Sequence, residues 1–123
     1  MQGLVLVALG GAVGASARYG VGLAATRMLG SGFPWGTLAA NVLGGLAMGL
    51  LVGAFGHDRA KILLLGTGVL GGFTTFSAFS LETVLMIERG AIATAGLYAA
   101  GSVAASVCAL GLGLALGRGW ATP

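Results

Sequence analysis

Charge is the scarcest property of this sequence. Lys and Arg number 6 and Asp and Glu number 3, together 7% of the 123 residues, where a soluble globular domain uses about 25%. So few charges cannot tile a water-facing surface, which sets aside an ordinary cytoplasmic enzyme. Histidine and cysteine occur once each, as His57 and Cys108. An intramolecular disulfide is impossible, and no His, Cys and carboxylate set stands at metal-ligand spacing. The basic residues Arg18, Arg27, Arg59, Lys61, Arg89 and Arg118 are scattered, with no cluster to follow a phosphate backbone, so nucleic acid is not an expected partner. Nor is a nucleotide: Gly10, Gly11 and Gly14 lack the strand and the later acidic residue of a dinucleotide fingerprint. With 2 prolines and no three-residue glycine period the chain is not collagen-like, and it is too apolar for disorder. No nucleophile or metal cluster stands ready for chemistry, so no enzyme is expected. The first apolar stretch starts almost at Met1 without a basic leader and outruns signal-peptide length, so a cleavable signal is not expected either.

Hydrophobic residues, by contrast, make up 57% of the chain, and there are 25 glycines. They fall into four long runs, about residues 3–25, 35–55, 62–87 and 91–117, within a single domain spanning 1–123. Each run exceeds the roughly 20 residues a membrane helix needs, and none shows the alternation of a membrane β-strand. The expected fold class is an all-α integral membrane protein, four transmembrane helices in an up-down bundle with both termini on one side. Arg59, Lys61 and Arg118 flank the terminal side, Arg27 and Arg89 the other. That bias is small enough to leave open either one orientation or insertion in both.

The third run is unusual for a spanning helix. Gly66, Gly68, Gly71 and Gly72 lead into two Thr and two Ser, followed by Glu82. Glycine and threonine both weaken helix, and small residues also mark tight crossings. The density of polar groups favours a break near Gly71 to Thr75, which a membrane tolerates where backbone meets an ion or a water-lined cavity. In the second run Asn41, Gly45, Gly49 and Gly53 share one helical stripe. The glycines read as a close crossing, and Asn41 either bridges helices or meets a solute. In the fourth run Tyr98, Ser102 and Ser106 form a stripe of hydroxyls that either bond back to their own helix carbonyls or wall a polar track. Phe76 and Phe79 share a face beside the Thr and Ser residues, where rings pack or present their positive edges to an anion. Arg18 and Glu82 are ionisable residues within spans, either interfacial anchors or groups at a pore mouth.

The run Gly71-Gly72-Phe73-Thr74-Thr75-Phe76-Ser77-Ala78-Phe79-Ser80 followed by Glu82, the Gly36-Thr37-Leu38-Ala39-Ala40-Asn41-Val42-Leu43-Gly44 stretch, Gly14-Ala15-Ser16-Ala17-Arg18-Tyr19, and Tyr98, Ser102 and Ser106 together resemble the Fluc (CrcB-type) fluoride channels, over about residues 3 to 117. The resemblance implies an antiparallel, dual-topology homodimer in a prokaryotic plasma membrane that lets fluoride leave the cytoplasm passively, with itself, fluoride and membrane lipid as partners. It implies a fluoride pathway of Asn41, Thr75, Phe76, Ser77, Phe79, Tyr98, Ser102 and Ser106, with Arg18 near the vestibule and Glu82 near the polar track. It also implies a structural sodium ion on the backbone carbonyls of Gly71 and Thr74 in both chains. The sequence departs from the family at Ala78, where many members carry Thr or Ser, and more mildly at Phe73. Two other readings are a small proton-coupled four-helix multidrug transporter and a non-transport membrane assembly subunit. The transporter needs a membrane-central carboxylate in its first helix, where this chain has Arg18.

Overall fold

In the computed structural model, which describes residues 1–121, four long apolar helical spans run up and down. Thr122 and Pro123, the end of the expected domain, lie outside the described residues. The first span is α1 (Gln2–Leu29) and the second α2 (Trp35–Phe55). The third, Arg59–Glu88, is composite: α3 (Arg59–Lys61), a π-helix (Ile62–Leu70), α4 (Gly71–Phe73) and α5 (Phe76–Glu88). The fourth is α6 (Ile92–Ala121).

Several helices outrun their apolar cores. α1 continues past Ala25 through Thr26 and Arg27, because a helix end in an interface accepts polar side chains. It stops at Gly30, whose φ of 79° is a left-handed turn that glycine adopts without strain, with its N–H on the Thr26 carbonyl at 2.9 Å. Gly90, at φ 81°, makes the reversal between α5 and α6. α6 likewise runs through Arg118 to Ala121. At the α2–α3 corner Asp58 caps α3, accepting the Lys61 N–H at 3.1 Å and pairing with its ammonium at 3.1 Å. The backbone bond and then the ammonium hold this exposed carboxyl below its ordinary range.

Glycine sets the packing. α1 lies alongside the third span: a Cβ on Gly10 would run into the Leu64 carbonyl, one on Gly14 into the Val69 carbonyl, and one on Gly72 would meet the Gly11 oxygen at 2.6 Å. α2 lies alongside α6 in the same way, with Gly45 facing the Ser106 oxygen at 2.9 Å, Gly53 the Leu114 oxygen at 2.6 Å and Gly117 the Leu50 oxygen at 2.5 Å. These contacts pair first with third and second with fourth, each pair parallel. Consecutive spans are antiparallel, as the approach of Gly36 to Gly22 also requires. In lipid no hydrophobic force pulls helices together, so such backbone approach supplies the cohesion through dispersion contacts. The glycines at the start of α1 are thus a packing surface.

The break in the third span sits at Thr74 and Thr75, the C-terminal end of the expected stretch. Gly71 and Gly72 are still helical, whereas Thr74 (φ −84°, ψ 156°) and Thr75 (φ −152°, ψ 120°) are extended. Ahead of it, the π-helix returns the Gly71 N–H to the Gly66 carbonyl, five residues back. This wide winding is rare and gathers at functional sites.

Candidate functional site

An interrupted helix in hydrocarbon must satisfy the backbone groups it frees, and side chains from three elements do so here. Thr75 caps α5, its Oγ1 accepting the Ala78 N–H at 3.1 Å. Thr74 Oγ1 donates back to the Leu70 carbonyl at 2.9 Å. From α2, Asn41 acts as a peptide group: its Oδ1 accepts the Thr75 N–H at 2.7 Å and its Nδ2 donates to the Thr75 carbonyl at 3.0 Å. From α1, Arg18 Nε donates to the Gly72 carbonyl at 3.2 Å, at the C-terminal end of α4 where a cation is favoured. Arg18, partly buried, is thus tied to the end of the broken helix. Ala78, the position where a hydroxyl is missing, contributes through its backbone N–H.

A cavity of about 310 Å³ opens beside the break. Asn41, Thr74, Thr75, Phe76, Phe79, Ser102 and Ser106 line it, with Val103 and Val107. Ser102 is buried and its Oγ has no hydrogen-bond partner. Burying a hydroxyl unsatisfied costs free energy, so this one is poised for a ligand or water. The Phe76 and Phe79 rings stand 5.6 Å apart at 55°. Phe79 is half-buried, whereas Phe76 is 77% exposed on the surface of the single chain.

Six of the eight residues expected along one pathway therefore share this cavity. Ser77 does not line it; it is exposed, with its Oγ 3.3 Å from Thr75 Oγ1. Tyr98 does not line it either. Only 2% exposed, it packs on Phe79 and directs its hydroxyl to Glu82 Oε2 at 2.8 Å. The other Glu82 oxygen accepts from Thr37 Oγ1 at 2.6 Å. Glu82 and Thr37 together face a cavity of about 340 Å³ lined also by Arg18, Tyr19, Thr26 and Ala78. Thr37 was missed by the sequence reading, although it falls four residues before Asn41 and so extends the same stripe. Gly71 faces open space, with only the Gly66 oxygen near an added Cβ, at 3.6 Å. Among the described residues no group of three His, Cys, Asp or Glu stands together.

Fold and site together define a multi-pass membrane protein organised around a broken helix, with hydrogen-bonding side chains gathered at the break. Residues 5–114 match the family model described as CrcB-like protein, Camphor Resistance (CrcB). The chain is 57% identical over 123 residues to the fluoride-specific ion channel FluC of Phenylobacterium zucineum, covering 96% of this chain and 97% of the relative. It is 56% identical to the FluC of Hyphomonas neptunium over 123 residues, again 96% and 97% of the two chains. It is 50% identical to that of Caulobacter vibrioides at the same coverage. The chain belongs to the CrcB-like (Fluc) family. Its four spans and its bacterial relatives place it in the plasma membrane.

Proposed function

We propose that the protein is a passive, fluoride-selective channel that lets fluoride leave the cytoplasm. The observation that carries this reading is the cavity at the break, where an unpartnered buried Ser102 hydroxyl stands with Asn41, Thr75, Ser106 and the rings of Phe76 and Phe79. The relatives' printed function supports it. Fluoride is small and strongly hydrated, so it crosses only where donors replace its water. Ser102 and Ser106 offer hydroxyls. Asn41 spends one N–H of its amide on Thr75 and keeps the second. No permanent cation lines this cavity to trap the ion. Arg18, in the neighbouring cavity, raises the local anion concentration outside the narrow part.

Two further features belong to the same proposal. The working unit is an antiparallel homodimer inserted in both orientations. A cavity that holds the Asn41, Ser102 and Ser106 side chains and whose wall includes the exposed Phe76 would open those polar groups toward lipid in a lone chain, and a second copy removes that cost. The three-to-two split of the basic flanks gives little preference to either orientation. A reporter fused after the C-terminus is expected on both sides of the membrane; strictly one-sided placement overturns dual topology. The other feature is a structural sodium ion at Gly71 and Thr74. Thr75 gives its N–H to Asn41 and so withholds it from the Gly71 carbonyl, four residues back. Thr74 is extended, so its carbonyl lies outside the helical ladder. These neutral oxygens fit a hard monovalent cation. Held there, such an ion would supply positive charge that balances the freed carbonyl dipoles.

Efflux from liposomes containing only this protein tests the reading. Chloride is too large to share the same donors, and losing two hydrogen bonds to a charged ion at about 1.5 kcal/mol each predicts ~100-fold slower chloride flux. Flux should need no proton gradient and should fall when sodium is replaced on both sides by a large organic cation. Equal chloride flux, or flux that needs a proton gradient, overturns the channel. Unchanged flux after verified sodium removal overturns the cation site alone.

A further inference from the structure

Five aromatic rings form a continuous chain from the break to the α1–α2 loop. Phe76 and Phe79 are 5.6 Å apart, Phe79 and Tyr98 5.2 Å, Tyr98 and Phe33 5.3 Å, and Phe33 and Trp35 4.6 Å between centroids. Tyr98 occupies the middle and lines neither of the chambers on its two sides. On one side lies the cavity with Phe79, Asn41 and Ser102. On the other lies a chamber of about 160 Å³ lined by Phe33, Trp35, Thr26, Thr37 and Glu82. Tyr98 touches Phe79, which lines the first, and Phe33 and Glu82, which line the second, so its ring stands between the two.

The two faces of that ring are held unequally. Phe79 is carried by α5. Phe33 sits in the short loop between α1 and α2, meeting Tyr98 edge-on at 84°. The loop also carries Gly30 and Gly32, around which an added Cβ would find open space. Phe33 is the half of the clamp that no helix carries.

We propose that Phe33 is a positioning residue that latches Tyr98 across the ion path, so that movement of Phe33 frees the Tyr98 ring to swing and joins the inner cavity to the Glu82 chamber. This rests on the channel reading above. Phe33 touches Tyr98 rather than the ion and acts through it. Its edge-on contact adds to the barrier for the swing, which lies in series with passage through the inner cavity.

Fluoride efflux from liposomes containing Phe33→Ala, Phe33→Leu and Phe33→Trp tests the latch, with dimer content and thermal unfolding measured alongside. An edge-to-face aromatic pair is worth enough to shift a rate by about 2- to 10-fold. The expected result is a maximal flux raised by that factor in Phe33→Ala and Phe33→Leu, with the half-saturating fluoride concentration held. Phe33→Trp, which keeps a ring edge, restores most of the latch. Loss of packing alone would lower flux together with thermal stability. Maximal flux that falls or stays at the wild-type value in Phe33→Ala, while the wild-type protein conducts, overturns the latch and leaves the channel standing. A wild-type protein that carries no fluoride overturns both.

Discussion

Asn41→Asp is expected to reduce fluoride flux by ~1000-fold while the protein still folds. The replacement is nearly isosteric, and one carboxylate oxygen still accepts the Thr75 N–H. The other stands where Nδ2 now donates to the Thr75 carbonyl at 3.0 Å, so two acceptors face each other. Leaving that carbonyl unsatisfied costs about 1–3 kcal/mol of stability. The larger effect is on the ion. Asn41 lines the cavity, and a negative charge about 4 Å from a passing anion opposes it by roughly 4 kcal/mol at an effective dielectric near 20, which is the ~1000-fold reduction in rate. Asn41→Ala separates the two effects: it loses both bonds to Thr75 and weakens the fold further, yet adds no repulsion. Efflux and thermal unfolding in detergent measure both. Fluoride flux near wild type in Asn41→Asp would remove the ion from this cavity.

Gly14→Ala is expected to be the most damaging single methyl in the chain. The added carbon would clash with the Val69 carbonyl oxygen and press on the Phe73 nitrogen at 2.9 Å, so backbone must move. Forcing an extra carbon into a packed crossing costs about 1–3 kcal/mol, and here it also pushes α1 away from α4, loosening the Arg18 bond to Gly72. Gly20→Ala on the same helix is the comparison. Nothing lies within 4 Å of its added carbon, and alanine favours helix by about 1 kcal/mol. Folded yield and melting temperature should therefore fall for the first and hold or rise for the second. Equal behaviour would mean that α1 does not cross the third span as closely as these atoms require.

Much of this was legible from local pattern. Long apolar runs with charges between them specify spanning helices, because hydrocarbon leaves the backbone no alternative partner. The Gly45, Gly49 and Gly53 stripe pointed to a close crossing for the same reason that the four-residue spacing puts them on one face. The cluster of glycine, Thr and Ser marked the weak point of the third span. Helix ends were less legible, because Thr26, Arg27 and Arg118 read as boundaries by hydropathy although helices continue through them at the interface.

The partners of the polar residues came only from the tertiary structure. Asn41 was ambiguous in sequence, since an amide satisfies a helix, a solute or a break equally well; its two bonds to Thr75 depend on α2 lying beside the third span. Arg18 read as an anchor or a pore-mouth group, and its bond to Gly72 requires α1 packed on α4 through Gly14 and Gly72. Tyr98 looked like one more hydroxyl in a stripe with Ser102 and Ser106, yet its hydroxyl is bound to Glu82 and its ring packs between Phe79 and Phe33. Sequence alone determined what had to be buried in lipid and where the backbone was weak, because those follow from composition and spacing along one chain. Which freed group meets which donor depends on distances between spans far apart in sequence, and those were set by the glycine crossings.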